Sequence, residues 1–327
     1  MKKLLSKAIN AKEGSIIIVL VVLQLFSILF VKNYTSGTNF RLLLRAIPSL
    51  GMVSLGVCLL MIAGEFDLSV GSTFALGPMI GALFLGKGLN IWLSFILILV
   101  IGATIGALNG FLTVKTKIPS FIATLGAMMF WRGVVLVISG GRSGRFPLTE
   151  GFKMFFNSKV GPISTQFIWL IVFAIIFWMI LNKQKFGSWI LSTGGNIRAA
   201  RAMGINTDKV KIIVFLIAGV MASFGGLFDS TRIEVVHPLQ GEGLALTAIA
   251  AVVIGGTRLT GGTGTILGTF LGASIVFTIQ DILMLMRVQA YLFNAFVGVV
   301  IILAVILNRK YNRSAQESSQ DSSCSSR

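Results

Sequence analysis

GLNIWLSFILILVIGATIGALNGFLTV, Gly88 to Val114, runs for 27 residues without a charge. About 20 mostly apolar residues cross the hydrocarbon core of a bilayer as a helix, so this stretch is long enough to span. Its apolar residues are continuous rather than alternating, which is the pattern of a membrane helix and not of a barrel strand. A helix also satisfies its own backbone groups in lipid. Seven further uncharged runs of at least 17 residues surround it: 14–31, 46–64, 68–86, 160–182, 212–228, 259–280 and 288–308. Two more candidates are 118–141, interrupted by Arg132, and the 15-residue 243–257, which is short and ends in Gly255-Gly256. The expected fold is an all-α polytopic membrane protein with about ten transmembrane segments, some short or broken.

Composition agrees. Of 327 residues, 55% are hydrophobic and 12% charged, against about 25% charged in soluble domains. A cytosolic enzyme is thereby excluded. Cys58 and Cys324 cannot build a disulfide framework, and a single His, His237, excludes the usual zinc clusters, so no metal site is expected. The net charge of +17 is distributed between apolar runs rather than on one soluble face, which argues against a nucleic-acid partner.

MKKLLSKAINAKE at the amino terminus looks like a signal peptide, but the apolar run behind it is too long and FVKNYTSG offers no small-residue cleavage site; it reads as a retained anchor. An even number of spans then places both termini in the cytoplasm. With that orientation 17 basic residues lie inside and ten outside, with Arg132 in the membrane, in the sense of the positive-inside rule. Residues 1–308 are expected to form one transmembrane domain, with an inner loop at about 183–211 and an outer loop at about 142–165. The tail, 309–327, holds seven Ser in the fourteen residues from Ser314 and is expected to be disordered and cytoplasmic.

Several motifs invite chemistry. GALFLGKG, Gly81 to Gly88, comes close to a phosphate-binding loop but lacks the final Ser or Thr and lies between two spans, so this chain is not expected to hydrolyse ATP. GEFDLSVGS, Gly64 to Ser72, places Glu65 and Asp67 between two apolar runs. A proton or cation relay is one reading; the other is that Asp67 and Ser69 cap the helix that follows. In the inner loop, Gly194-Gly195-Asn196 and then Ala199-Ala200-Arg201-Ala202-Met203-Gly204 suggest a small helix bounded by tight turns, suited to docking a partner or to anionic headgroups. AAVVIGGTRLTGGTGTILGT, Ala250 to Thr269, reads as a packing signal that permits close backbone approach. Arg132 is expected to pair with Glu65, Asp229 or Asp281, or to snorkel. Pro48, Pro78 and Pro119 are expected to start or bend helices.

Taken together, over roughly residues 40–308, the chain resembles the permease subunit of bacterial sugar-importing ABC transporters of the ribose and galactose class. The likeness is carried by GxxDLSVGS at Gly64–Ser72, GALNG at Gly106–Gly110, IPSFIATLG at Ile118–Gly126, GGNxxAARxxGI at Gly194–Ile205 and AAVVIGGTxLTGG at Ala250–Gly262. Glu65-Phe66 departs from it, many members carrying Gly-Ile there, as does the Ser-rich tail.

The resemblance implies a ten-helix permease in the bacterial cytoplasmic membrane. It would pair with a second permease copy or paralogue, two cytoplasmic ATPase subunits that hold the ATP and magnesium, and an extracytoplasmic solute-binding protein; this chain itself holds no cofactor. It implies that Gly194, Gly195, Asn196, Arg198, Ala199, Ala200, Arg201 and Gly204 form the coupling helix seated in the ATPase. The outer loops 142–165 and 232–242 would dock the binding protein through Arg142, Arg145, Lys153 and Lys159. Residues proposed for the translocation pathway are Glu65, Asp67, Ser69, Asn109, Trp131 and Asn294. The alternative is a stand-alone proton- or cation-coupled transporter using Glu65, Asp67 or Asp281. An intramembrane enzyme lacks a nucleophile and base pair.

Overall fold

In the computed structural model, which describes residues 14–289, 292–299 and 302, the chain is a bundle of α-helices with two very short two-stranded antiparallel sheets at one end. The helices are α1 (Gly14–Phe30), α2 (Gly37–Ile62), α3 (Val70–Gly86), α4 (Ile91–Thr116), α5 (Ser120–Ser139), α6 (Glu150–Phe156), α7 (Thr165–Lys183), α8 (Lys185–Gly195), α9 (Ile197–Ala202), α10 (Thr207–Ile233), α11 (Leu244–Ile254) and α12 (Ile266–Leu285). Among the described residues six are long and apolar enough to cross a membrane, namely α2, α4, α5, α7, α10 and α12; α1, α3 and α11 are apolar but shorter. The expected tail, 309–327, and the basic amino-terminal residues 1–13 lie outside the described residues.

Burial separates the helices. In α2, 78% of its most apolar window is inside the protein, and in α5 only 11%, so α2 is core and α5 presents Met129, Phe130 and Val137 outward. The centre is built by α10, which packs along α4, α2 and α3. Small residues set the spacing between α4 and α10. A Cβ added at Gly106 would overlap the Phe215 carbonyl oxygen, and one at Gly219 would overlap that of Gly102. In lipid, where water does not drive helices together, backbones meeting at glycine are a main source of packing energy. Of the prolines, Pro48 and Pro78 lie inside α2 and α3, and Pro119 is the N-cap of α5.

The loop expected at about 142–165 is itself folded. Its β1 (Gly144–Arg145) pairs antiparallel with β4 (Val235–Val236), and β2 (Lys159–Val160) turns back on β3 (Ile163–Ser164). Between them α6 turns Phe152 and Phe156 inward, fully buried against Phe95 and Trp92, with Phe224 and Phe228 of α10 behind Phe156. Offset and edge-to-face ring contacts of this kind fix the short helix to the bundle. Arg142, Arg145, Lys153 and Lys159 are all exposed on this cap. It lies at the opposite end of α7 from α8 and α9.

Candidate coupling and translocation site

The candidate coupling segment is two helices in sequence. Asn196 breaks α8 from α9 and caps the latter, its Oδ1 accepting from the backbone N–H groups of Arg198 and Ala199 at 3.1 Å each. Gly204, with φ +80°, ends the turn, and the Ile205 N–H returns to the Ala200 carbonyl at 3.0 Å. Only a residue tolerant of the left-handed region fits there. Arg198, Ala199 and Arg201 face outward, as expected of a docking helix, but Ala200 is fully buried and faces the protein's own bundle. Arg201 is committed internally: its Nε donates to Thr207 Oγ1 at 2.9 Å and it pairs with Asp208 at 2.8 Å. Thus α9 and the first turn of α10 are tied together by side chains as well as by the chain.

Three stretches picked out separately by sequence converge beneath this helix. The Gly262 N–H donates to the Ile62 carbonyl at 2.8 Å, and a Cβ added at Gly194 would overlap that same carbonyl oxygen. Gly261 lies on Gly64 and Gly262 on Gly195. The end of α2, the end of α8 and the 255–265 turn therefore meet backbone to backbone. The glycine-rich run at Ala250 to Thr269 is a packing device, as its small residues suggested, and its Gly261 and Gly262 pack on Gly64, Gly194 and Gly195.

The turn 63–69 is held from several sides. The Phe66 N–H donates to Ser120 Oγ and the Leu68 N–H to Thr124 Oγ1, both at 3.1 Å. Asp67 accepts the Ser69 N–H at 2.8 Å, which closes the turn before α3. Ser69 is the N-cap residue of α3 but makes no side-chain cap bond. Its Oγ instead accepts from Asn109 Nδ2 at 2.7 Å, and the same amide lies 3.3 Å from Asp67 Oδ2. Asp67, Ser69 and Asn109 thus form one buried cluster, 2%, 0% and 3% exposed. A carboxylate in such a place needs donors around it, and Asn109 and the Ser69 N–H provide them.

Glu65, a candidate for the pathway and for an ion relay, forms an ion pair with Lys211 of α10. Sequence reading missed Lys211. Both charges fall at the cytoplasmic end in the expected orientation, which was the available signal. A cavity of about 590 Å³ bounded by Glu65, Thr113, Lys117, Ser120, Arg201 and Asp208 lies on one side of Lys211. A second of about 410 Å³, bounded by Gly64, Thr193, Asn196, Arg198 and Thr260, lies on the other.

The remaining pathway candidates are elsewhere. Trp131 is half-buried on α5, its ring against Phe130, and Asn294 is exposed beside Gly243. Arg132 does not take the expected carboxylate partner. Its guanidinium donates to the carbonyl oxygens of Pro238 at 2.6 Å, Gly71 at 3.0 Å and Gln240 at 3.1 Å. The three carboxylates are engaged elsewhere, Glu65 by Lys211, Asp229 by Arg232 at 2.5 Å and Asp281 by Asn39 at 2.9 Å.

Comparison with known proteins places the chain in a family. Residues 39–305 match the family model described as branched-chain amino acid transport system / permease component. The chain is 34% identical over 314 residues to the ribose import permease protein RbsC of Escherichia coli K12, covering 94% of this chain and 97% of that protein. It is 34% identical over 304 residues to the autoinducer 2 import system permease protein LsrC of Yersinia enterocolitica, covering 91% and 82%. A Yersinia pestis LsrC is similar at 33%. No solved structure matches. With six helices of membrane-crossing length and a family match over most of its residues, this chain belongs to the branched-chain amino acid transport system permease components, multi-pass proteins of the bacterial cytoplasmic membrane.

Proposed function

We propose that this chain is the membrane subunit of an ATP-driven importer for a sugar or sugar-like solute. Although the family model is described by amino acid transport, the similar relatives are named as import permeases for ribose, matched over nearly the whole of both chains, and for autoinducer 2, and this favours the sugar class. The observation that carries the mechanism is the exposed helix α9, capped by Asn196 and set on the glycine junction of Ile62, Gly194 and Gly262. A short helix seated on close backbone contacts passes a push directly to its base.

In this reading two cytoplasmic ATPase subunits hold the ATP and magnesium and seat α9, contacting Arg198 and Ala199. A second permease copy or paralogue completes the pathway. The chain crosses the membrane ten times with both termini cytoplasmic, 1–308 forming the membrane domain and 309–327 a polar tail. Closure of the ATPases rocks the helices as rigid bodies and turns access from outside to inside. Outside, the exposed Arg142, Arg145, Lys153 and Lys159 receive acidic patches of a solute-binding protein. Asp67, Ser69 and Asn109 keep the turn at the head of α3 rigid beside the pathway, while Trp131 and Asn294 lie nearer its outer half.

The test is reconstitution. Vesicles containing this chain, its ATPase and a loaded binding protein should accumulate ribose or a related sugar only with ATP inside the ATPase compartment. Accumulation by this chain alone, driven by a proton or sodium gradient, would overturn the proposal in favour of a secondary transporter.

A further inference from the structure

The Glu65–Lys211 ion pair occupies a position the function above leaves unused. The Glu65 side chain is 9% exposed and that of Lys211 18%, so each charge is largely removed from water and depends on the other. Lys211 borders both cavities and Glu65 borders the larger one, so the pair lies where the two approach each other.

What the pair connects is specific. On the Lys211 side, Arg201 binds Thr207 and Asp208, so α9 and the start of α10 form one body. On the Glu65 side, the turn 63–69 is bonded to α5 through Ser120 and Thr124 and to α4 through Asn109. The glycine junction is chiefly a van der Waals contact, with one N–H to carbonyl bond at Ile62. Contact of that kind transmits a push well and a pull poorly, because attraction between close-packed atoms fades within an ångström. An ion pair in a low-dielectric site holds over a longer range. From this geometry we infer that Glu65 and Lys211 are positioning residues for coupling: they make the turn 63–69, and with it α5, follow α9 when the ATPase draws it away from the bundle.

This inference rests on the reading of α9 as the element the ATPase moves. The experiment uses the reconstituted complex with its ATPase and binding protein and compares Glu65→Gln, Lys211→Gln and the exchange Glu65→Lys/Lys211→Glu. Membrane level, co-purification with the ATPase, ATP hydrolysis and solute uptake are measured for each. Both single variants should assemble and hydrolyse ATP within about twofold of the parent, yet take up about fivefold or more less solute per ATP; the exchange should recover at least about half of that loss. Unchanged uptake per ATP in the single variants overturns the inference. So does an exchange variant that assembles but stays as uncoupled as the singles. Loss of the single variants from the membrane, with the exchange variant present, also overturns it, since the pair then serves folding. If the unaltered complex takes up solute without ATP, the reading of α9 fails and not this pair alone.

Discussion

The guanidinium of Arg132 lies 2.6 Å from the carbonyl oxygen of Pro238, a residue 106 positions away, and joins α5 to the turn that follows β4. The same side chain reaches Gly71 and Gln240, so one cation ties the outer turn to the start of α3. Replacement by Met leaves these carbonyls without their donor. Unpaired buried acceptors cost about 1–3 kcal/mol, so Arg132→Met should lower the melting temperature of the detergent-solubilised protein. Arg132→Lys, with one ammonium in place of a fork, should recover only part of it. A melting temperature unchanged in both variants would show that the turn is held by other contacts.

Neighbouring alanines of α9 should behave differently. Ala199 is exposed and Ala200 fully buried. Ala199→Glu should leave the amount of protein in the membrane unchanged and reduce co-purification with the ATPase by about tenfold, as expected for a charge forced into a packed interface. Ala200→Glu should instead lower the protein level itself, because its carboxylate enters the bundle. Western blotting of membranes beside an ATPase pull-down separates the two, and identical behaviour would refute this assignment of faces.

Asn109 offers its amide to both Asp67 and Ser69. Asn109→Leu removes a donor from a buried carboxylate, at a cost of about 1–3 kcal/mol. Asn109→Asp brings a second carboxylate against the first and should be the worse of the two. Limited proteolysis of membranes should rank the three proteins in that order of resistance, the parent first. Equal resistance would mean that Asp67 does not rely on this partner.

On the outer cap, reversing Arg142, Arg145, Lys153 and Lys159 to Glu should slow association with the binding protein and weaken its salt dependence, because steering by exposed charge is screened within about 8 Å at physiological ionic strength. Surface plasmon resonance at two salt concentrations measures this. Association rates that match the parent at both would place the docking surface elsewhere.

Much of the architecture was legible in the chain. Uncharged runs marked the membrane helices because a bilayer admits few charges, and the edges of α4 and α5 fall within a few residues of the runs at 88–114 and 118–141. Asn196 and Gly204 declared the limits of α9 through cap chemistry that acts over neighbouring residues. Partners far apart in sequence were not legible. Nothing in the spacing of Glu65 and Lys211, or of Arg132 and Pro238, says that they meet; those contacts depend on which helices stand side by side. Expecting Arg132 to seek a carboxylate overlooked that several backbone carbonyls, gathered by a turn, satisfy a guanidinium as well. The folded state of 142–165 was missed because two buried rings, Phe152 and Phe156, outweigh the polar residues around them.

Those two rings also make the cap observable by light. Trp92 packs edge-on against Phe152, centroids 5.1 Å apart, and Trp169 stands 5.0 Å from Phe155, so both indoles report on the seat of α6. Under the proposed docking of a binding protein on this cap, its arrival should change the surroundings of these chromophores, and intrinsic emission would follow that event with no label attached.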